Sequence, residues 1–260
     1  MKKYLTKSLL LLVTVCILAA AAQAHDVQRG STSSIGSSGL SDLLGLSAES
    51  APVAARYAVT VDRPGAGLSR AKPQRLTWYF YRDAQRVALL KGSVDELWFR
   101  DAQQRISFER VFHDDERVVD YSTGELATLD VKVDWAALSH FVDPTELSQL
   151  KVVSRYGQGS QARVRLRGQL GRERVTVDWW PALQLPHLLV REAKGGTTVR
   201  FELKASAPTP PDSWPQPSVK SANYLHLDAA DFGDMGYESV VRKSEALDLR
   251  LGWRALHKHD

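Results

Sequence analysis

The stretch "VDWWPALQLPHLLVREAKGGTTVRFEL", Val177 to Leu203, decides the fold. Together with the preceding "RVT" it places Val175, Val177 and Trp179 on one side of a strand that stops at Pro181. The chain restarts at Pro186 with "HLLVREA", turns at Gly195 and Gly196, and returns as "TTVRFELKA" with Val199, Phe201 and Leu203 on one face. A proline lacks the N–H a sheet ladder needs, so it is tolerated where a strand begins or ends. The two prolines therefore predict a wide corner between paired strands, and the period of two predicts a sheet with one buried side.

Outward from this hairpin the same alternation recurs. "RYAVTVD" and "RLTWYFYRD" read as strands, and "DELWFRDAQQRISFERVFHDDERVVDYS" as three short strands around the turns "DAQQ" and "HDDE". In "QARVRLRGQLGRER", Val164 and Leu166 face one way, whereas Arg163, Arg165 and Arg167 face the other. About nine strands result, linked mostly by short hairpins. Two helical pieces interrupt them. "VDWAALSHFVDPTELSQL" carries Asp134 as an N-cap and Asp143-Pro144 as a cap followed by proline at the first helical position. "GYESVVRKSEALDLRLGW" sets Val240, Val241, Leu247 and Leu251 roughly on one helical face.

The ends read differently from the body. Residues 1–24 combine Lys2, Lys3 and Lys7, an apolar run from Leu9 to Ala22 and Ala22-Gln23-Ala24, the pattern of a signal peptide cleaved after Ala24. The run is shorter than the ~20 residues of a spanning helix, so no transmembrane segment is expected in the mature chain. Cleavage removes the single cysteine, Cys16, and leaves 31 basic and 30 acidic residues. An exported chain with no cysteine has neither a disulfide framework nor a thiolate metal site, and a formal charge near zero gives no reason to expect nucleic acid. Residues 25–50 are Ser/Gly-rich and read as a flexible tether with at most one docking turn of helix. A body of 51–206 with its helical insert near 134–150 follows. A Pro-rich linker, 207–222, and a helical tail, 223–260, complete the chain.

An exported meander of short strands with a helical interruption and a late strand, Leu-Pro, strand, Gly-turn, strand hairpin resembles the LolA/LolB lipoprotein-carrier superfamily, which includes the sensor domain of RseB. The matching residues are "VDWWPALQLPHLLVRE", Val177 to Glu192, and "GGTTVRFEL", Gly195 to Leu203. The resemblance implies a mainly β, α+β fold in which a curved antiparallel sheet forms a half-barrel covered by a few helices. It also implies a periplasmic location and an apolar cavity for a lipid or lipoprotein acyl chain.

On that fold, strand parity selects Leu76, Trp78 and Phe80, then Phe99, Ile106, Phe108 and Phe112, then Val164, Leu166, Trp179, Val199, Phe201 and Leu203. Trp78, Phe80, Phe99, Phe108, Phe112, Leu166, Trp179 and Phe201 are the expected ligand contacts, since aromatic rings offer large area and soft specificity. The same residues also suit a plain core packed by helices. Arg110 falls on the apolar parity between Phe108 and Phe112. Either a bulge shifts the register there or a paired arginine reaches inward, and the bulge is the simpler reading.

Other chemistry is sparse. Asp228, Asp231 and Asp234 are spaced to share a helical face, but the calcium loop with its bidentate Glu is missing, so a turn that caps the next helix is expected. His25 at the processed N-terminus, with His257 and His259, offers a copper-binding alternative. "FHDDE", Phe112 to Glu116, reads as a solvated turn, and the arginines of the "RVRLRG" strand read as an exposed face with cross-strand partners. G-x-S-x-G and H-E-x-x-H are absent and no cofactor is implied. The expectation is a non-catalytic envelope protein that binds an acyl chain. The alternatives are an interaction module with a filled core that works on an envelope protein partner, and metal binding by the terminal histidines.

Overall fold

The computed structural model describes residues 37–47, 49–65, 72–216, 221–236 and 238–253. The expected signal peptide, His25, His257 and His259 lie outside these residues. Among the described residues twelve strands form one curved, open sheet. They are β1 (Val53–Asp62), β2 (Gln74–Arg82), β3 (Arg86–Leu90), β4 (Val94–Arg100), β5 (Ile106–Phe112), β6 (Arg117–Tyr121), β7 (Lys151–Tyr156), β8 (Arg163–Leu170), β9 (Glu173–Trp180), β10 (Leu185–Ala193), β11 (Thr198–Ala207) and β12 (Leu225–Asp228). Their spatial order is β12-β6-β5-β4-β3-β2-β1-β11-β10-β9-β8-β7. Every neighbouring pair is antiparallel except β12 on β6. The nine expected strands are joined by β3, β7 and β12. Each of these is six residues or shorter, too brief for a period of two to stand out.

The long hairpin from Val177 folds more tightly than its prolines suggest. Trp180 pairs with Leu185 and the turn closes in Pro181 to Gln184, with Gln184 at φ 51°. Pro186 lies inside β10 opposite Trp179, and the register shifts between Pro186 and Leu188. That irregularity accommodates the missing N–H. The Pro186 carbonyl accepts instead from the Tyr57 hydroxyl at 2.9 Å. Gly196, at φ 83°, turns the chain into β11.

Among the described residues five α-helices accompany the sheet: α1 (Ser37–Leu44), α2 (Thr123–Thr128), α3 (Trp135–Ser139), α4 (Pro144–Gln149) and α5 (Ser239–Arg250). The expected caps are present. Asp134 accepts from Ala136 N at 2.8 Å, and Asp143 accepts from Thr145 N at 2.7 Å with Pro144 beginning α4. Asp228 caps a short 3₁₀ turn, Ala229–Gly233, by accepting from Ala230 N. Helix α2 was not expected, although Ser122 and Glu125 form a capping box that the "S-T-G-E" spacing allows.

One sheet face carries the main core. Tyr57, Val59, Trp78, Phe80, Phe108, Leu166, Val177, Trp179, Val199 and Phe201 pack there with residues of every helix: Leu44 of α1, Leu126 of α2, Leu138 of α3, Leu147 of α4, and Val240, Val241 and Leu247 of α5. The Trp179 indole N–H donates to the Leu44 carbonyl at 2.7 Å, so α1 is tied to the C-terminal end of β9. A smaller core lies on the opposite face, where Tyr81, Ala88, Leu90, Leu97 and Val111 pack with Trp214 and Tyr224. The Pro-rich stretch after β11 crosses this second face. The Tyr81 hydroxyl donates to the Pro215 carbonyl at 2.6 Å, and Trp214 packs on Tyr79 with ring centroids 5.4 Å apart.

Candidate functional site

The structure brings seven of the eight expected ligand contacts onto the helix-covered face. Trp78, Phe80, Phe108, Phe112, Leu166, Trp179 and Phe201 are all 2% exposed or less. The space above them is filled by protein. Phe141, in the segment between α3 and α4, stacks on Tyr57 at 4.7 Å and meets Phe80 edge-on at 5.4 Å and Phe201 at 5.6 Å. Trp78 packs on Phe201 at 5.4 Å. These distances are those of a close-packed aromatic cluster. Phe141 also sits at φ 63°, a conformation costly for a bulky side chain and kept only where packing over-determines it.

Phe99 is the exception. It packs with the small core of the opposite face, and Trp98 is the β4 aromatic on the covered side, stacked on Phe108 at 4.2 Å. The parity of β4 is thus the reverse of the expected one. Arg110 corrects the sequence reading in the same place. The pairing of β5 with both β4 and β6 runs without a register shift, so there is no bulge and the guanidinium points into the core. It is fully buried and donates to Asp248 Oδ1 at 2.7 Å and Ser244 Oγ at 2.8 Å, both on α5, and to the Tyr121 hydroxyl at 3.1 Å. The Tyr121 hydroxyl in turn donates to Asp248 Oδ2 at 2.9 Å. Burial works against the Arg110 charge, but the electrostatic influence of Tyr121, Asp248 and Glu96 outweighs it and pushes the pKa above its ordinary value. Glu96, directly opposite Arg110 on β4, forms a second buried pair with Lys91 at 2.6 Å. Four charged side chains therefore lie within the covered face, and the Arg110–Asp248 pair fastens α5 to it.

The insert that carries Phe141 is held at the corner of the opening hairpin. Arg82, buried at the end of β2, donates to the carbonyls of Ala51, Ser139, Leu183 and Gln184 at 3.0, 2.6, 2.6 and 3.2 Å. One guanidinium thus gathers the chain before β1, the end of α3 and the β9–β10 turn. Burial pulls its pKa down to about 10, so it stays charged near neutral pH. Gln184 Oε1 lies 2.9 Å from His140 Nε2 and accepts from Ser50 Oγ at 2.9 Å. At the other end of the insert, Glu146 of α4 pairs with the buried Arg191 of β10.

The remaining candidates are structural or superficial. "HDDE" is a turn as expected, but two of its members are engaged. His113 bonds Asp95 at 2.7 Å and Tyr224 at 3.2 Å, and Asp115 pairs with Lys243 of α5 at 2.6 Å. His113 and Asp95 border a pocket of about 90 Å³ on the opposite face, with Thr77, Tyr79, Leu97 and Gln216. This pocket shares no residue with the expected ligand contacts. Of the arginines on β8, Arg165 takes the expected cross-strand partner, Asp178, at 2.6 and 2.8 Å. Arg163 is not on an exposed face as expected: it is buried and lies over the Trp180 ring at 3.3 Å. Among the described residues no cluster of His, Cys, Asp or Glu is arranged to hold a metal ion, and no helix is long and apolar enough to cross a membrane.

No family model and no curated protein matches the chain. Solved structures do, and they include the expected kind. The chain is similar to MucB, with 14% identity over 72% of this chain and 64% of that one, at a TM-score of 0.37. It is similar to a putative outer membrane lipoprotein-sorting protein domain from Vibrio parahaemolyticus, with 7% identity over 72% of this chain and 95% of that one, at a TM-score of 0.33. PNGF-II also matches, with 12% identity over 73% of this chain at a TM-score of 0.37, and there the chain spans only 34% of the other's length. At identities and TM-scores this low the likeness carries nothing about ligand or activity.

Proposed function

We propose that the chain is a non-catalytic binding protein of the cell envelope that acts on a protein partner, with its helix-covered sheet face serving as core. One observation carries this reading. The side chains that would line an acyl cavity are packed against Phe141, the short helices and one another, and the distances between them are those of a protein interior. Export rests on the Lys-rich, apolar and Ala-Gln-Ala pattern of residues 1–24.

A second reading keeps the acyl chain. It draws on Phe141, a side chain held in a costly backbone conformation as a plug among Tyr57, Phe80 and Phe201. In this reading the insert from Thr123 to Gln149 lifts and the ligand takes the place of Phe141.

Native mass spectrometry of the exported protein, purified gently from an envelope fraction, separates the two. The expected result is a single processed mass without an adduct of lipid size. A heterogeneous lipid-size adduct that disappears on Trp78→Asp or Phe108→Asp, in protein that remains folded, would overturn the first reading in favour of the second.

A further inference from the structure

The chain from Lys151 to Leu170 contains five basic residues, Lys151, Arg155, Arg163, Arg165 and Arg167, and no acid. It builds β7 and β8, and β7 is one edge of the sheet. Among the described residues only Arg165 of these five has a carboxylate partner, Asp178. The edge is open to solvent along its length. Val153 is 52% exposed and Tyr156 41%. Both are apolar in character and stand beside the cations.

An edge strand presents backbone N–H and C=O groups that a further strand can pair, and proteins usually blunt such edges with charge or a bulge. Here both devices exist. The β7–β8 register shifts between Val152 and Ser154, which leaves Val153 without a partner on β8. The charge, however, is of one sign only. A second copy of this chain would set Lys and Arg against Lys and Arg, and like charges directly opposite are destabilising. A strand bearing Asp or Glu would meet its complement. By the β7–β8 register Lys151 and Tyr156 share the face of Arg163, Arg165 and Arg167, and Val152 and Arg155 that of Val164 and Leu166, so a strand alternating acid and apolar residues would set its acids against the first face.

We infer that β7 is a docking edge for an extended, acidic segment of a partner protein, which adds to the sheet as a further strand. This rests on the reading of the chain as a protein-binding module, and it names the surface and the chemistry of the partner. Backbone pairing supplies the contact area and alternate side chains supply selectivity. Lys151, Arg155 and Arg167 set the sign of the charge and make the interaction sensitive to salt.

The test uses the full exported chain and two fluorescein-labelled peptides, one of alternating Glu and Val and one of alternating Lys and Val, read by fluorescence anisotropy. Saturable binding of the Glu–Val peptide is expected, weakening as salt is raised, with none for the Lys–Val peptide. Val153→Pro blocks the edge while leaving the β8 pairing intact, and should reduce binding at least about tenfold. The triple variant Lys151→Glu, Arg155→Glu, Arg167→Glu changes only exposed side chains. It should weaken the Glu–Val peptide about tenfold and admit the Lys–Val peptide. Absence of binding, or binding that both variants leave unchanged, would overturn the inference. So would binding to phosphatidylglycerol vesicles that Val153→Pro leaves intact while the Glu–Val peptide fails to compete. A lipid-size adduct in native mass spectra is a separate outcome that removes the underlying reading and says nothing of the edge itself.

Discussion

Replacing Asp248 by leucine should destabilise the protein by about 3–5 kcal/mol, the usual cost of leaving a buried charge without its partner. Arg110 has no route to water from its place among Phe108, Tyr121 and Trp253, and Asp248 supplies the carboxylate that touches it. The double variant Arg110→Met, Asp248→Leu should recover much of the loss, because removing both charges avoids the desolvation that either one alone incurs. Tyr121 and Ser244, bonded to each other at 2.7 Å, keep a partner when both charges are removed. Urea unfolding of the two single variants and the double variant gives the coupling directly. Near-additive losses would mean that α5 is not fastened through this pair.

Phe201→Ala should cost about 3–5 kcal/mol, as truncation of a fully buried aromatic does when its surroundings cannot collapse. The ring touches Trp78 and Phe141, one from the sheet and one from the insert, so its removal leaves a gap between the two layers. A ligand-contact residue in an open cavity would behave differently. Its truncation would alter binding and leave the unfolding midpoint nearly in place. Denaturant unfolding of Phe201→Ala beside wild type tells these roles apart.

Most of the sheet was legible in the sequence because its strands have one wet and one dry side. The regions around Val164–Leu166 and Val199–Leu203 alternate cleanly, and the structure places those residues where the alternation puts them. The two misreadings around β4 and β5 share one physical cause. Taking Glu96 and Arg100 as outward residues makes Leu97 and Phe99 inward, and taking Arg110 as outward demands a bulge. In the structure Glu96 and Arg110 face each other inside the core, neutralised by Lys91 and Asp248. A buried charged cluster inverts the polarity signal on which strand parity depends. Trp98 and Phe99 are adjacent, and β4 is buried on both sides over most of its length, so hydrophobicity alone could not correct it. Asp248 offered a clue, as an acid on the mostly apolar face of α5. Its partner lies 138 residues away along the chain, and only the fold brings them together.

The candidate site was less legible than the fold. Seven of the eight residues share a face, as their parity implies, but an inward face is the same signal whether a ligand or a helix covers it. The occupant here is Phe141, which sits in a short segment between two capped helical turns and has no periodicity of its own. The basic edge was visible as a run of arginines. Its significance was not, because β7 follows α4 directly and is six residues long.

Amide hydrogen exchange of the full chain, followed by mass spectrometry with and without a long-chain fatty acid, tests most directly whether the covered face is core. If it is, the amides of Thr123–Gln149 and of β1, β2 and β11 exchange alike in both conditions. A fatty acid that changes the exchange of the insert together with that of β2 and β11 would show that the insert opens onto a ligand, and would contradict the account.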